Sequence, residues 1–485
     1  NTQRPEWNDA NNALVGKGLS VVTVGYLRRF IAFWQAQLTQ GETETVAVNP
    51  AVADLFGAVH DILHAHQSHL AGGFTDQARR AIMDQLGAVA TAYRTTVYRD
   101  GVPAVQVGID CQTLRAFLAL AQRYVEQTLR ANQRPDDMFH SYNILRLHDQ
   151  GAAVDHLYLM LEGQVAALSS GMLTPEEALA VLRSMRQSEL YRPDQHSYML
   201  YPNRQLPGFL QKNQTPAAAV AASSLVAALT AANDRRLLLC DDGGVYHFNG
   251  NFRNAGDVAR TLDELAQEPA FAPLVTAERA FMLDLFETTF DHRAFTGRSG
   301  TFFAYEGLGS IYWHMVSKLL LAAQEYYQHA LAANADASTT AALAAAYYDI
   351  RQGLSFNKSP DAYGAFPTDP YSHTPWGNGA RQPGMTGQVK EEILTRFGEL
   401  GVSIQAGALC FAPSLLQRAE FLSSAGEFSY VDVAHTPRTM SLPPASLAFT
   451  VCQTPVVYVH GDAAKVEVTC ADGQLLTVPG RCLDV

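Results

Sequence analysis

The chain has 485 residues, enough for a large core and two domains, with 47% apolar and 17% charged residues as in an ordinary globular protein. Its 35 Lys plus Arg against 47 Asp plus Glu give a net charge of −12 without basic runs. That excludes nucleic acid or an anionic membrane as the main partner and leaves room for an anionic small substrate. No apolar run is long enough to span a bilayer; the Ala-rich stretch 215–232 is broken by Ser and Thr. Apolar residues recur at three- and four-residue spacing over 13–36, 51–71, 75–97, 111–132, 154–170, 174–188, 215–232, 275–289, 311–334, 338–352 and 388–400, which predicts helices there. Between them, 189–214, 241–256, 290–310 and 353–387 read as long loops rich in aromatics, His and Arg. Such loops in a helical domain are functional or disordered, and their composition favours function. From about residue 401, alternating and β-branched residues at Ser446–His460 and Lys465–Val478, with turns at Gly461-Asp462 and Asp472-Gly473, predict a small β domain.

The expected fold is therefore mainly α: a helical toroid or bundle over 1–400, with a helical insertion at about 40–135, and a β-sandwich over 401–485. The six cysteines (Cys111, Cys240, Cys410, Cys452, Cys470, Cys482) form no C-x-x-C pair, so they suggest neither a zinc site nor a disulfide framework. They are expected as buried or free thiols in a reducing compartment, hence a cytoplasmic protein without metal.

Three segments concentrate chemistry. The first is Glu6-Trp7-Asn8-Asp9, followed by Asn11, Asn12 and Gly16 ahead of a helix. Carboxylic acids protonate glycosidic oxygens, indoles stack on sugar rings and amides bond sugar hydroxyls; an Asn/Asp helix cap with a staple Trp is the structural alternative. The second is the glycine-rich loop carrying Arg298 and Glu306, running through Tyr312-Trp313 to His314. A lone helical histidine would be structural, but this one follows a loop with both charges. The third holds Tyr363, Phe366, His373, Trp376 and Arg381 and ends in Met385-Thr386-Gly387 before the helix at Gln388. A Thr-Gly at a helix start offers a hydroxyl and free N–H groups to an anion, as many helix starts do.

In this order the three segments resemble glycoside hydrolase family 94, the cellobiose and chitobiose phosphorylases, and the matching region of cyclic β-1,2-glucan synthases. Trp7-Asn8-Asp9 with Gly16 is similar to that family's Trp-Asn-Asp motif, although Glu6 stands where the family has Asp. Gly309-Ser310-Ile311-Tyr312-Trp313-His314 looks like its Gly-x-aromatic-x-His segment, and Met385-Thr386-Gly387 like its Thr-Gly-Ser segment. Leu400-Gly401-Val402 through Pro413 is similar to its entry into a C-terminal β domain. The resemblance implies an (α/α)6 barrel, inversion at the anomeric carbon, and inorganic phosphate as co-substrate with no other cofactor. It implies Asp9 as general acid beside Glu6, and phosphate held by His314, Thr386 and Gly387 with Arg381 or Arg298. Trp7, Asn8, Glu306, Tyr363, Phe366, His373 and Trp376 are then the sugar-binding candidates. Family members carry a β-sandwich and further barrel upstream of the motif, so the chain resembles a C-terminal portion, expected to dimerise or to join an N-terminal portion. An inverting β-glucosidase or glucanase using Glu306, Asp361 or Asp369 as base, a transglycosylase, and a non-catalytic carbohydrate-binding subunit remain alternatives.

Overall fold

The computed structural model describes residues 18–40, 44–102, 104–203, 207–290, 311–354, 358–359, 373–374, 389–461, 463–470 and 472–484. The chain is mainly α with small antiparallel sheets and a C-terminal β region. Among the described residues, no helix is long and apolar enough to cross a membrane.

The centre is the helix Leu161–Ser169, buried at every position. Val21–Gln40 and Trp313–Ala332 pack on it, and Pro175–Gln187 and Ala337–Gln352 pack in turn on Trp313–Ala332, sharing one core that includes Leu168, Leu182, Trp313, Leu319, Leu343 and Tyr347. The helix starts are chemically marked. Thr174 and Glu177 form a reciprocal capping box, and Asp336 accepts from the N–H groups of Ser338 and Thr339 at 2.9 and 3.0 Å. The Val21–Gln40 helix crosses the central helix at Gly25, where an added Cβ would stand 2.7 Å from the Ala166 carbonyl oxygen. Only glycine allows that approach.

The expected helix over 154–170 is corrected. Gly151–His156 is a strand paired antiparallel with Tyr142–His148 through a turn at Asp149-Gln150, and the helix starts only at Leu161. Periodicity alone could not separate a buried strand from a buried helix there. The apolar stretch 215–232 also divides, into Ala217–Ala221 and Ser224–Ala231, because the Ser223 side chain accepts from Val226 N–H at 3.0 Å and starts a new helix. Residues 241–256, expected as loop, contain the strand Tyr246–Phe248, paired with Leu238–Cys240, and the Asn254 cap of an unanticipated helix, Ala255–Leu265.

Within 40–135, Pro50–Ala65 and Asp76–Asp100 contain no fully buried residue, whereas Cys111–Ala131 buries Cys111, Leu120 and Leu129. A second compact body lies at 207–290. Val220, Leu225, Phe248, Leu262, Phe286 and neighbours make a core of their own, separate from that of the central helices.

The β region docks directly onto the helices. Gly401 has φ +69°, and a Cβ there would meet the Ala412 backbone at 2.1 Å. The Tyr327 hydroxyl donates to the Ser414 carbonyl at 2.9 Å and Tyr458 to Leu400 at 2.5 Å. Val402–Gln405, Ala408–Phe411 and Cys482–Asp484 form one antiparallel sheet, and three hairpins complete the region. The segment Ser446–His460 is two strands rather than one. It turns at Cys452-Gln453, both with positive φ, a turn that the absence of Gly or Asn concealed.

The expectation of free thiols fails for one pair: Cys410 and Cys482 form a disulfide. Phe411 N–H donates to Arg481 O, which makes 410 and 482 the neighbouring non-hydrogen-bonded pair, where facing side chains lie closest. A separation of 72 residues hides this pairing in the sequence. The compartment expectation loses that part of its basis.

Candidate active site

The described flanks of the three segments meet at one end of the central helices. The strand Gly18–Ser20, leaving the first segment, pairs with Ile144–Tyr142, and Val21 N–H donates to Ser141 O at 3.0 Å. Ile311–Tyr312, leading to His314, pairs with His373–Thr374 from the third segment. Ile311 also bridges Met199, and Leu200 O accepts from Leu161 N–H, the start of the central helix, at 2.7 Å. Tyr312 and Val22 pack on the same small core of Tyr142, Ile144, Met160, Leu200 and Tyr201.

His314 sits in the first turn of the Trp313–Ala332 helix, with its ring stacked on Tyr312 at 5.2 Å and 28°. A cation there on a 20-residue helix is unfavourable alone and favourable once an anion joins it. His373 lies opposite Tyr312 in the two-stranded pairing. The remaining candidates, Glu6, Trp7, Asn8, Asp9, Arg298, Glu306, Tyr363, Phe366, Trp376, Arg381, Thr386 and Gly387, lie outside the described residues. The Val389–Leu400 helix that follows Thr386-Gly387 is nevertheless firmly held. Buried Glu399 accepts from Tyr347 at 2.6 Å and pairs with Arg351 at 3.0 Å and Arg396 at 2.7 Å. Burial first, then the Glu399 charge, holds the Tyr347 hydroxyl protonated well above the usual tyrosine range.

Two polar clusters at this end were not singled out in the sequence. Glu162, in the first turn of the central helix and 5% exposed, accepts from the Tyr142 hydroxyl at 2.5 Å. Further along, His196 sits between the Tyr191 hydroxyl at 3.0 Å and Asp349 at 3.1 Å, while Arg186 pairs with Asp349 at 2.9 Å. Arg192, fully buried, pairs with Asp194, and the Lys358 ammonium donates to Gln195 O while lying 5.2 Å from the centre of the Trp313 ring. Burial lowers the Lys358 ammonium to about 8, partly offset by Asp194. The only sequence signal for either cluster was charge inside apolar runs, as in Met160-Leu161-Glu162-Gly163. Among the described residues, no group of three His, Cys, Asp or Glu is placed to hold a metal ion.

Residues 206–293 match the family model described as GH149 phosphorylase insertion domain 2. Over those residues the chain is similar to a domain of a glycoside hydrolase/phosphorylase family. The match supports a glycoside phosphorylase-type enzyme of carbohydrate metabolism, and the family it names is 149 rather than 94. It coincides with the body at 207–290 that carries its own core, so this body is what resembles that insertion domain. No curated protein matches the chain.

Within this body, His247 donates from both ring nitrogens, to Asn213 O and to Asp241 at 3.0 Å. The Asp241 hydrogen bond raises the imidazole above its ordinary range and lowers the carboxylate in turn. This pair ties the strand Tyr246–Phe248 to the turn before it.

Proposed function

We propose that the chain carries the catalytic core of an inverting glycoside phosphorylase that cleaves a β-linked glucoside with inorganic phosphate, built on an (α/α)6-barrel-type toroid. The match to a phosphorylase insertion domain carries this reading. The meeting of the three motif flanks around Tyr142, Tyr201 and Tyr312 supports it.

In this reading Asp9, beside Glu6, protonates the glycosidic oxygen as the C1–O bond breaks and its electron pair stays on oxygen. A phosphate oxygen forms the new bond to C1 from the opposite face, and hydrogen phosphate supplies the net proton. His314, the Thr386 hydroxyl and the Gly387 N–H hold the phosphate, with Arg381 or Arg298 neutralising it. Trp7, Asn8, Glu306, Tyr363, Phe366, His373 and Trp376 bind the sugars.

Phosphate titrations test this directly. A charge-assisted bond contributes roughly 1.5–3 kcal/mol, so Thr386→Val should raise the phosphate KM about ten- to a hundredfold and leave the sugar KM nearly unchanged. His314→Ala should act in the same direction, and Trp376→Ala on the sugar side alone. Equal loss of both affinities in Thr386→Val removes the anion site from the account. Release of free glucose without phosphate favours a hydrolase.

A further inference from the structure

Burying two cations side by side is costly, because each loses its water and each opposes the charge of the other. Arg192, fully buried, and Lys358, 9% exposed, are such a pair. Burial lowers the Lys358 ammonium most, Asp194 raises it and Arg192 lowers it again. Asp194, which pairs with Arg192, is itself half-exposed.

The backbone brings both cations to the start of one helix. Arg192 ends the two-residue strand Tyr191–Arg192, which pairs with Ser197–Tyr198 around the turn Pro193–Gln195. Met199, next along, bridges Ile311, two residues before Trp313. His196 closes the turn at φ +47°, and a Cβ on Gly353 would meet its carbonyl oxygen at 2.0 Å. Glycine there lets the end of the Ala337–Gln352 helix come against the turn. Five residues on, Lys358 donates to Gln195 O, and its ammonium lies 5.2 Å from the centre of the Trp313 ring. Trp313 is the first residue of a 20-residue helix and His314 the second, so the positive end of the helix dipole adds to the same place.

A further donor faces this cluster. Ser197 is 1% exposed, and its hydroxyl has no hydrogen-bond partner among the described residues. It stands opposite Arg192 in the strand pairing, so the two side chains leave the ribbon on the same side. The hydroxyl is thus able to donate to an anion held between the cations.

We propose that Arg192, Lys358, the Ser197 hydroxyl and the first turn at Trp313-His314 form the anion site that takes inorganic phosphate. The proposal rests on the phosphorylase reading for the identity of the anion, and it adds two charges to the His314 of that reading. A phosphate dianion is attracted by both cations, so their mutual repulsion is offset on binding.

Inorganic phosphate is titrated by calorimetry at pH 7 into the unaltered protein, Lys358→Met and Ser197→Ala, with sugar absent, and thermal midpoints are measured without phosphate. Losing one charge-assisted bond lowers affinity roughly ten- to a hundredfold. Each variant should lose phosphate affinity on that scale while its midpoint is no lower than that of the unaltered protein. One change removes a desolvated charge and the other an unbonded buried hydroxyl, and neither should unfold the chain. A structural role would do the reverse, lowering the midpoints and leaving phosphate binding alone. Unchanged affinity in both variants, or no phosphate bound by the unaltered protein, overturns the proposal. If phosphate binds through Lys358 yet no sugar 1-phosphate forms from a β-linked glucoside, the phosphorylase reading falls and the anion site stands. If sugar 1-phosphate forms and both variants keep the phosphate KM, the anion site falls and the reading stands.

Discussion

The Tyr347 hydroxyl donates to Glu399 at 2.6 Å, tying the Ala337–Gln352 helix to the helix that begins just after Thr386-Gly387. Arg351 and Arg396 complete the set around this carboxylate, which is almost fully buried. Removing one partner of a buried ion pair leaves an uncompensated charge and costs about 3–5 kcal/mol. Arg351→Met leaves Arg396 as the remaining cation beside Glu399, so it should lower the unfolding midpoint by the lower end of that range, whereas Tyr347→Phe, which removes one hydrogen bond to a charged group, should cost roughly 1.5–3 kcal/mol. Denaturant titration measures both, and the arginine variant should be the worse.

Lys358 gives a pH dependence of definite sign. Burial lowers its folded-state pKa to about 8 from 10.5, so between those values the unfolded chain binds more protons than the folded one. Stability from this group rises with pH across that window, and the cost of the buried ammonium is fully present below pH 8. The melting temperature of the unaltered protein should gain on that of Lys358→Met between pH 8 and 10. A constant difference would mean that the ammonium is not held as described.

In the body at 207–290, His247 is raised and Asp241 lowered, chiefly by their mutual hydrogen bond. Their contribution is full above the ordinary aspartate value of 3.8 and below the ordinary histidine value of 6.5. It disappears as pH rises through the raised histidine value. Asp241→Asn should remove this pH dependence, read as the denaturation midpoint of each form across pH 5 to 8. Leu262→Ala, at the centre of the same core, should cost roughly 2–5 kcal/mol. It should speed amide exchange across 207–290 while leaving Trp313–Ala332 protected, because the two cores are separate.

Much of the helical body was legible because its helices carry both a stripe and a marked start: Thr174-Pro175 with Glu177, or Asp336 before Ala337. The C-terminal strands were legible by alternation. What escaped depended on partners distant in sequence or on turns without their usual residues. Gly151–His156 reads as a strand only against Tyr142–His148, the Cys410–Cys482 bridge only once two strands 72 residues apart are paired, and the Cys452-Gln453 turn not at all. At the candidate site, the chain order of the motifs singled out His314 and His373, the latter in a stretch expected as loop that pairs as a short strand with Ile311–Tyr312. The buried charges of Glu162, Arg192 and Lys358 carried no pattern, since a single charge in an apolar run is uninformative until its partner is known. The separate core of the body at 207–290 was hidden for a similar reason: Ala217–Ala221 and Ser224–Ala231 are short, and the stripe of the longer Ala272–Phe290 helix does not say which core it joins.

The central claim is that phosphate, and not water, takes the glucosyl group with inversion. Anomer-resolved proton and phosphorus NMR of the first products from a β-linked gluco-oligosaccharide in phosphate buffer tests it most directly. The account predicts α-configured glucose 1-phosphate appearing together with the shortened oligosaccharide, and no product when phosphate is replaced by a non-nucleophilic buffer. Free glucose as the first product in either buffer, or a β-configured sugar phosphate, would contradict it.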